Sequence, residues 1–176
     1  MIKLKFPHLT DKNGFTLIEL VVAFSIMAVL STVGVVSFVN YSRTQTLNQA
    51  VNDLVTALGN AKSMSVAQST TSSIKSISLK CSGGKSFGGY GITTTTATTP
   101  DSYNLYIMCS GTEVSSVSVF LPKNVSFDSS STTSDVFFPI LIGGVVGDGA
   151  ISLKDSFNSP LKTINIDPGG NIQILQ

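Results

Sequence analysis

The chain predicts an α+β fold: one long N-terminal helix packed on a C-terminal antiparallel β-sheet domain. Three features carry this. Leu20 to Val39 is twenty residues without a charge, a proline, an Asp or an Asn. Leu47, Val51, Leu54, Leu58 and Ala61 then recur at spacings of four, three, four and three, which is one stripe of a helix. From Ser73 onward, short runs rich in Ile, Val, Phe, Tyr and Thr are separated by Gly, Ser, Asn, Asp and Pro clusters, the pattern of strands and turns. A length of 176 residues accommodates one domain plus one long appended element.

Residues 1–14 read as a basic leader, with Lys3, Lys5 and Lys12 against Asp11. At ~1.5 Å per residue the run from Leu20 to Val39 gives ~30 Å of helix, the thickness of a bilayer's hydrocarbon core. The lysines precede it, so the N-terminus is expected in the cytoplasm and the globular part outside. Tyr41 and Arg43 follow the run and can anchor at the far interface. A secretory signal has its apolar region before the cleavage site. Here the order is reversed, because Gly14-Phe15 precedes the apolar run. A single carboxylate, Glu19, sits at the start of that run. A carboxylate inside a membrane segment costs ~2.5–3.5 kcal/mol on insertion scales and is a functional residue by default.

No proline occurs between Phe15 and Gln68, so one helix of about fifty residues is expected, softened near Gly34 and Gly59. Its first half, 15–40, is apolar all round. Its second, 41–68, is amphipathic and should pack on a sheet. In the β-rich remainder, 69–176, strands are expected at Ile74 to Lys80, Tyr103 to Cys109, Val117 to Leu121, Val136 to Ile142, Ile151 to Leu153, Leu161 to Ile166 and Ile172 to Leu175. The last two are joined by a turn at Asp167-Pro168-Gly169-Gly170-Asn171. Thr93 to Thr99 and Asp128 to Asp135 read as solvated loops, and Gly143 to Gly149 as a hairpin turn.

Cys81 and Cys109 each end a strand-like run, in the part expected outside the cytoplasm. An oxidising compartment favours a disulfide between them, with two buried free thiols as the alternative. The bridge would close a loop of about thirty residues and contribute ~3 kcal/mol or somewhat more. A structural zinc site wants four ligands, and the chain's one histidine, His8, lies in the leader. Beyond residue 14 there is no histidine. That removes Ser-His-Asp and Cys-His nucleophiles and most general-base schemes, so the chain does not read as an enzyme. Asp148, Asp155 and Asp167 lie near turns, where acidic residues can hold calcium, but they match no EF-hand spacing. The expectation is no cofactor, with calcium as the one candidate. Net charge is +1, and three lysines and one aspartate leave with residues 1–14, which turns it into −1. Non-specific nucleic-acid binding has no electrostatic support from that average.

Lys12-Asn13-Gly14-Phe15-Thr16-Leu17-Ile18-Glu19-Leu20 closely resembles the class III signal of type IV pilins and type II secretion pseudopilins. The resemblance is strong over residues 9–40. It implies cleavage after Gly14 by a prepilin peptidase, N-methylation of the new terminus at Phe15, and a role for Glu19 in assembly. A carboxylate in a first helical turn faces the positive end of the macrodipole, and a neighbouring subunit's amino terminus is its natural partner. The implied partners are other pilin subunits, prepilin peptidase and an inner-membrane platform with its assembly ATPase. The implied location is the inner membrane as a single-pass protein, then a pilus or pseudopilus. Chain size, and strands following the helix directly, look most like minor pilins and pseudopilins of the GspH/FimT group. The absence of proline near Val36 and the mid-domain cysteines depart from major pilins. A binding module displayed on a pilus for DNA uptake or adhesion is the alternative, and it would be marked by Lys75, Lys80, Lys85 and Lys123 on one face.

Overall fold

A computed structural model of the chain describes residues 14–68, 71–74, 77–81, 83–157 and 161–175. One helix, α1 (Leu17–Val66), runs for 50 residues. Serines and threonines in its apolar half do not interrupt it, because their hydroxyls bond back to the preceding turn. Ser25 donates to the Val21 carbonyl at 2.8 Å, Ser31 to Met27 at 2.7 Å and Thr32 to Val29 at 2.8 Å. This satisfies the hydroxyls from within the helix itself. Gly34 and Gly59 lie inside the helix without ending it. It stops where Gln68 takes a left-handed φ of 51° and its N–H returns to the Ser65 carbonyl.

The chain divides into two units, Met1–Asn40 and Tyr41–Gln176. In the second unit the expected stripe is the buried face. Leu47, Val51, Leu54, Leu58 and Ala61 are all buried, joined by Ala50 and Ala57. Ser65 ends the stripe as a buried hydroxyl. Its Oγ accepts the Tyr90 backbone N–H at 3.0 Å, so the polar group enters the core with a partner.

Among the described residues the strands pair only antiparallel. Thr71–Ile74 (β1) and Ile77–Lys80 (β2) form a two-stranded hairpin. Phe87–Thr95 (β3), Ser102–Cys109 (β4), Thr112–Phe120 (β5) and Asp135–Pro139 (β7) form one sheet, in the order β5-β4-β3-β7. Val125–Phe127 (β6), Gly149–Asp155 (β8), Lys162–Ile166 (β9) and Ile172–Leu175 (β10) form the other, in the order β10-β9-β8-β6. Tyr90, Ile92, Leu105 and Ile107 from the first sheet meet Ile151, Leu153, Ile164 and Ile166 from the second in one core with the helix stripe.

Several expectations are corrected. The run from Ile74 to Lys80 is a hairpin rather than one strand, with Ile74 opposite Ile77; Lys75 and Ser76 lie outside the described residues. Thr93–Thr95 is not loop but the end of β3, which lies inside its sheet between β4 and β7. Its glycines hide it from propensity rules, yet they are what the strand requires. A Cβ on Gly91 would run into the Tyr106 ring across the β3–β4 pair, and one on Gly89 would meet the Phe138 carbonyl and the Phe137 ring. Tyr106 lies over that gap and donates to Asp135 at 2.9 Å, an oxygen it shares with the Thr93 hydroxyl. Burial and the Asp135 carboxylate push the Tyr106 phenol well above its ordinary value. Gly143–Gly149 is not a hairpin turn, because β7 and β8 belong to different sheets. Val146 folds back to pair with Phe137, and the chain then crosses over.

Asp128–Asp135 is laced rather than merely solvated. Asp128 N–H donates to the Ser152 carbonyl and Thr132 N–H to Ala150, both at 2.8 Å. The Thr132 hydroxyl accepts from Ala150 N–H at 2.7 Å, and the Ser131 hydroxyl accepts from Ser152 N–H at 3.0 Å. Hydroxyls thus continue along β8 where β6 ends. Asp128 also pairs with Lys154 at 2.8 Å. The Lys154 ammonium, helped by the Ser130 N–H, holds the Asp128 carboxyl well below the usual carboxylate range. Such a group stabilises the fold above its unfolded pKa, and that contribution is lost as pH falls through the folded value. Asp128→Asn is therefore expected to show a small, salt-sensitive loss of stability near neutrality that shrinks below about pH 4 and vanishes in strong acid. Denaturant titrations of both proteins down the acid limb check it; a gap that stays constant with pH rules the ion pair out as its source.

The turn at 167–171 forms as expected. Asp167 accepts the Asn171 N–H at 2.9 Å and its side-chain amide at 2.8 Å. Lys62 of α1 donates to the Gly170 carbonyl at 2.9 Å and ties this turn to the helix.

Candidate functional site

Gly14, Phe15 and Thr16 precede α1 without regular secondary structure, and the first helical turn carries Glu19. Thr16 is the residue that sequence reasoning missed. Its hydroxyl accepts the Glu19 backbone N–H at 3.3 Å, and the Glu19 carboxylate lies 3.5 Å from the same oxygen. This is a variant of the capping box, and its signal, a threonine three residues before a glutamate, stands in the sequence. The cap fixes where the helix begins. Gly14-Phe15 is thereby left just outside the helix, and Glu19 is held inside its first turn.

Around Gly14 the space is open, with no atom within 4 Å of where a Cβ would stand. Every side chain described from Phe15 to Ser42 is exposed, and Phe15 is 83% exposed. Phe15, Leu20, Ala23, Phe24 and Met27 line a shallow apolar groove on the helix, and Glu19 is its one ionisable member. No charged residue follows Glu19 until Arg43. The helix is long and apolar enough to cross a membrane. A segment so exposed and so apolar needs a non-aqueous surrounding, either lipid or the helices of other subunits.

The remaining predicted positions lie elsewhere. Cys81 and Cys109 form a disulfide with Cα atoms 5.8 Å apart, which joins the end of β2 to the end of β4. Asp148, Asp155 and Asp167 do not converge: Asp155 is buried in β8, and Asp167 is engaged by Asn171. Among the described residues, no group of three or more His, Cys, Asp or Glu is placed to hold a metal ion. Of the four lysines that would mark a nucleic-acid face, Lys75 lies outside the described residues, as does the side chain of Lys80.

Residues 9–35 match the family model for the prokaryotic N-terminal methylation motif. Neither a search of curated proteins nor one of solved structures returned a match. The matched segment holds the open Gly14-Phe15 bond, the capped helix start and Glu19, and it leads into the apolar helix that anchors the protein in a membrane. Residues 9–35 thus carry the N-terminal methylation motif, the class III prepilin signal that type IV pilins and pseudopilins share.

Proposed function

We propose that the protein is a structural subunit, a minor pilin or pseudopilin, of a type IV pilus or a type II secretion pseudopilus. Prepilin peptidase cleaves it after Gly14 and methylates Phe15. The leader's lysines keep the N-terminus in the cytoplasm, and the β-rich domain lies outside until an assembly platform extracts the subunit. The observation that carries this reading is the lone carboxylate, Glu19, in the first turn of an exposed helix that is otherwise uncharged up to Arg43. The positive end of the helix stabilises that carboxylate only partly, by about 0.3–1 kcal/mol at exposed sites. The amino group that cleavage creates on a neighbouring subunit's Phe15 supplies a full opposite charge. Pairing would set the axial register of each added subunit, and repeating the same contact without ring closure gives a helical fibre.

Mass spectrometry of the N-terminal peptide, taken from membranes and from material sheared off the cell surface, tests this. The expected peptide begins at N-methyl-Phe15 and occurs in both fractions. An intact leader from Met1 everywhere would reduce the protein to a membrane-anchored β-domain and remove the assembly role of Glu19.

A further inference from the structure

We propose that Arg43 and Phe157 form a ledge that rests on the outer headgroup layer of the membrane, with the Arg43 guanidinium presented to a phospholipid phosphate. The inference rests on the membrane reading above and adds a lipid-contacting surface to the globular unit. Residues 20–42 are uncharged, so Arg43 is the first ionised group after Glu19. Those 23 residues of helix span ~35 Å against a hydrocarbon core of ~30 Å, which sets Arg43 at headgroup depth.

Phe157 reaches Arg43 from the turn that follows β8. Its ring centroid lies 3.9 Å from Arg43 Cζ. A ring stacked on the guanidinium face leaves the in-plane N–H donors to bind oxygens, the geometry that suits a phosphate. Among the described residues the one ion pair is Lys154–Asp128, and no carboxylate neutralises Arg43. Phe157 remains 59% exposed even with the arginine stacked on its ring. A cation stacked on an exposed aromatic ring is the composition of a membrane interface belt. A water-facing corner has no use for it.

The chain contains no tryptophan, so Phe157→Trp creates a single reporter that keeps an aromatic ring on Arg43. The full-length protein is reconstituted into phosphatidylethanolamine–phosphatidylglycerol vesicles, with and without lipids brominated just below the headgroup, and flotation scores insertion. Expected is a blue-shifted emission that loses most of its intensity in the brominated vesicles. Adding Arg43→Ala should restore that intensity. Ile142→Trp, placed on an exposed residue of the loop after β7, should stay unquenched. Protein that floats while the Phe157→Trp emission matches the unquenched control overturns the ledge and leaves the membrane reading standing; the corner then serves water or a neighbouring subunit. Protein that does not float overturns both.

Discussion

Glu19→Leu is expected to abolish surface filaments while the protein still inserts and is still cleaved. Leucine makes the helix a better lipid-soluble segment, so the membrane pool should be unchanged or larger. What disappears is the reason to leave the bilayer. A carboxylate left unpaired in a membrane segment costs ~2.5–3.5 kcal/mol, and if docking recovers most of that, its loss weakens each subunit addition roughly 60- to 300-fold. The measurement is the ratio of sheared to membrane-bound protein. Glu19→Gln separates charge from shape, because the amide can still face the Thr16 cap but offers no negative charge; it should fail almost as badly as leucine. Thr16→Ala removes the hydroxyl that accepts the Glu19 N–H, a loss of ~1 kcal/mol of helix stability, and should assemble far better than either. Wild-type filament levels from Glu19→Gln would show that charge pairing is not the driving force.

The helix was legible because its signals are local. Freedom from proline, the uncharged run and the stripe from Leu47 to Ala61 specify its length and buried face with no knowledge of partners. The strands at 102–109, 149–155, 162–166 and 172–175 were legible for the same reason, through their Ile, Leu and Tyr. β3 was not, since Gly89 and Gly91 look like strand breakers until Tyr106 and Phe137 are seen to occupy the space they vacate. Nor was the role of Ser131 and Thr132, whose hydroxyls stand in for a ladder only because β8 passes beside them. At the functional end, Gly14, Phe15 and Glu19 could be picked out as a string, whereas the cap that orders them depended on recognising Thr16 as helix position zero. The stacking of Phe157 on Arg43 joins residues more than a hundred positions apart, and no periodicity reports such a contact.

Replacing both cysteines, as Cys81→Ala with Cys109→Ala, is expected to destabilise the globular unit by ~3–4 kcal/mol. The bridge spans 28 residues of sequence, and the chain-entropy relation gives a value of that size for such a loop. Against a typical domain stability of about 5–15 kcal/mol this is a large fraction. The loss should also be unevenly placed. Cys109 is fully buried at the end of β4, opposite Phe87, and it is held by the ladders of its own sheet whether or not the bridge exists. Cys81 follows β2, which among the described residues pairs in a ladder with β1 alone, although it also lies beside β4 and β5. A two-stranded hairpin is marginal by itself in water, so the bridge, beside the approach of β2 to β4 and β5, is expected to carry much of the attachment of β1 and β2. Hydrogen exchange on the oxidised and double-alanine proteins should therefore show protection collapsing first at 71–80, while amides of β3, β4, β8 and β9 weaken only as global stability falls. Chemical denaturation supplies the global figure. An unchanged midpoint would mean that the hairpin is held by its side chains and that the disulfide is thermodynamically idle. A uniform loss of protection across both sheets would mean that the hairpin is an integral part of the cooperative core and not an appendage tied to it by one covalent bond.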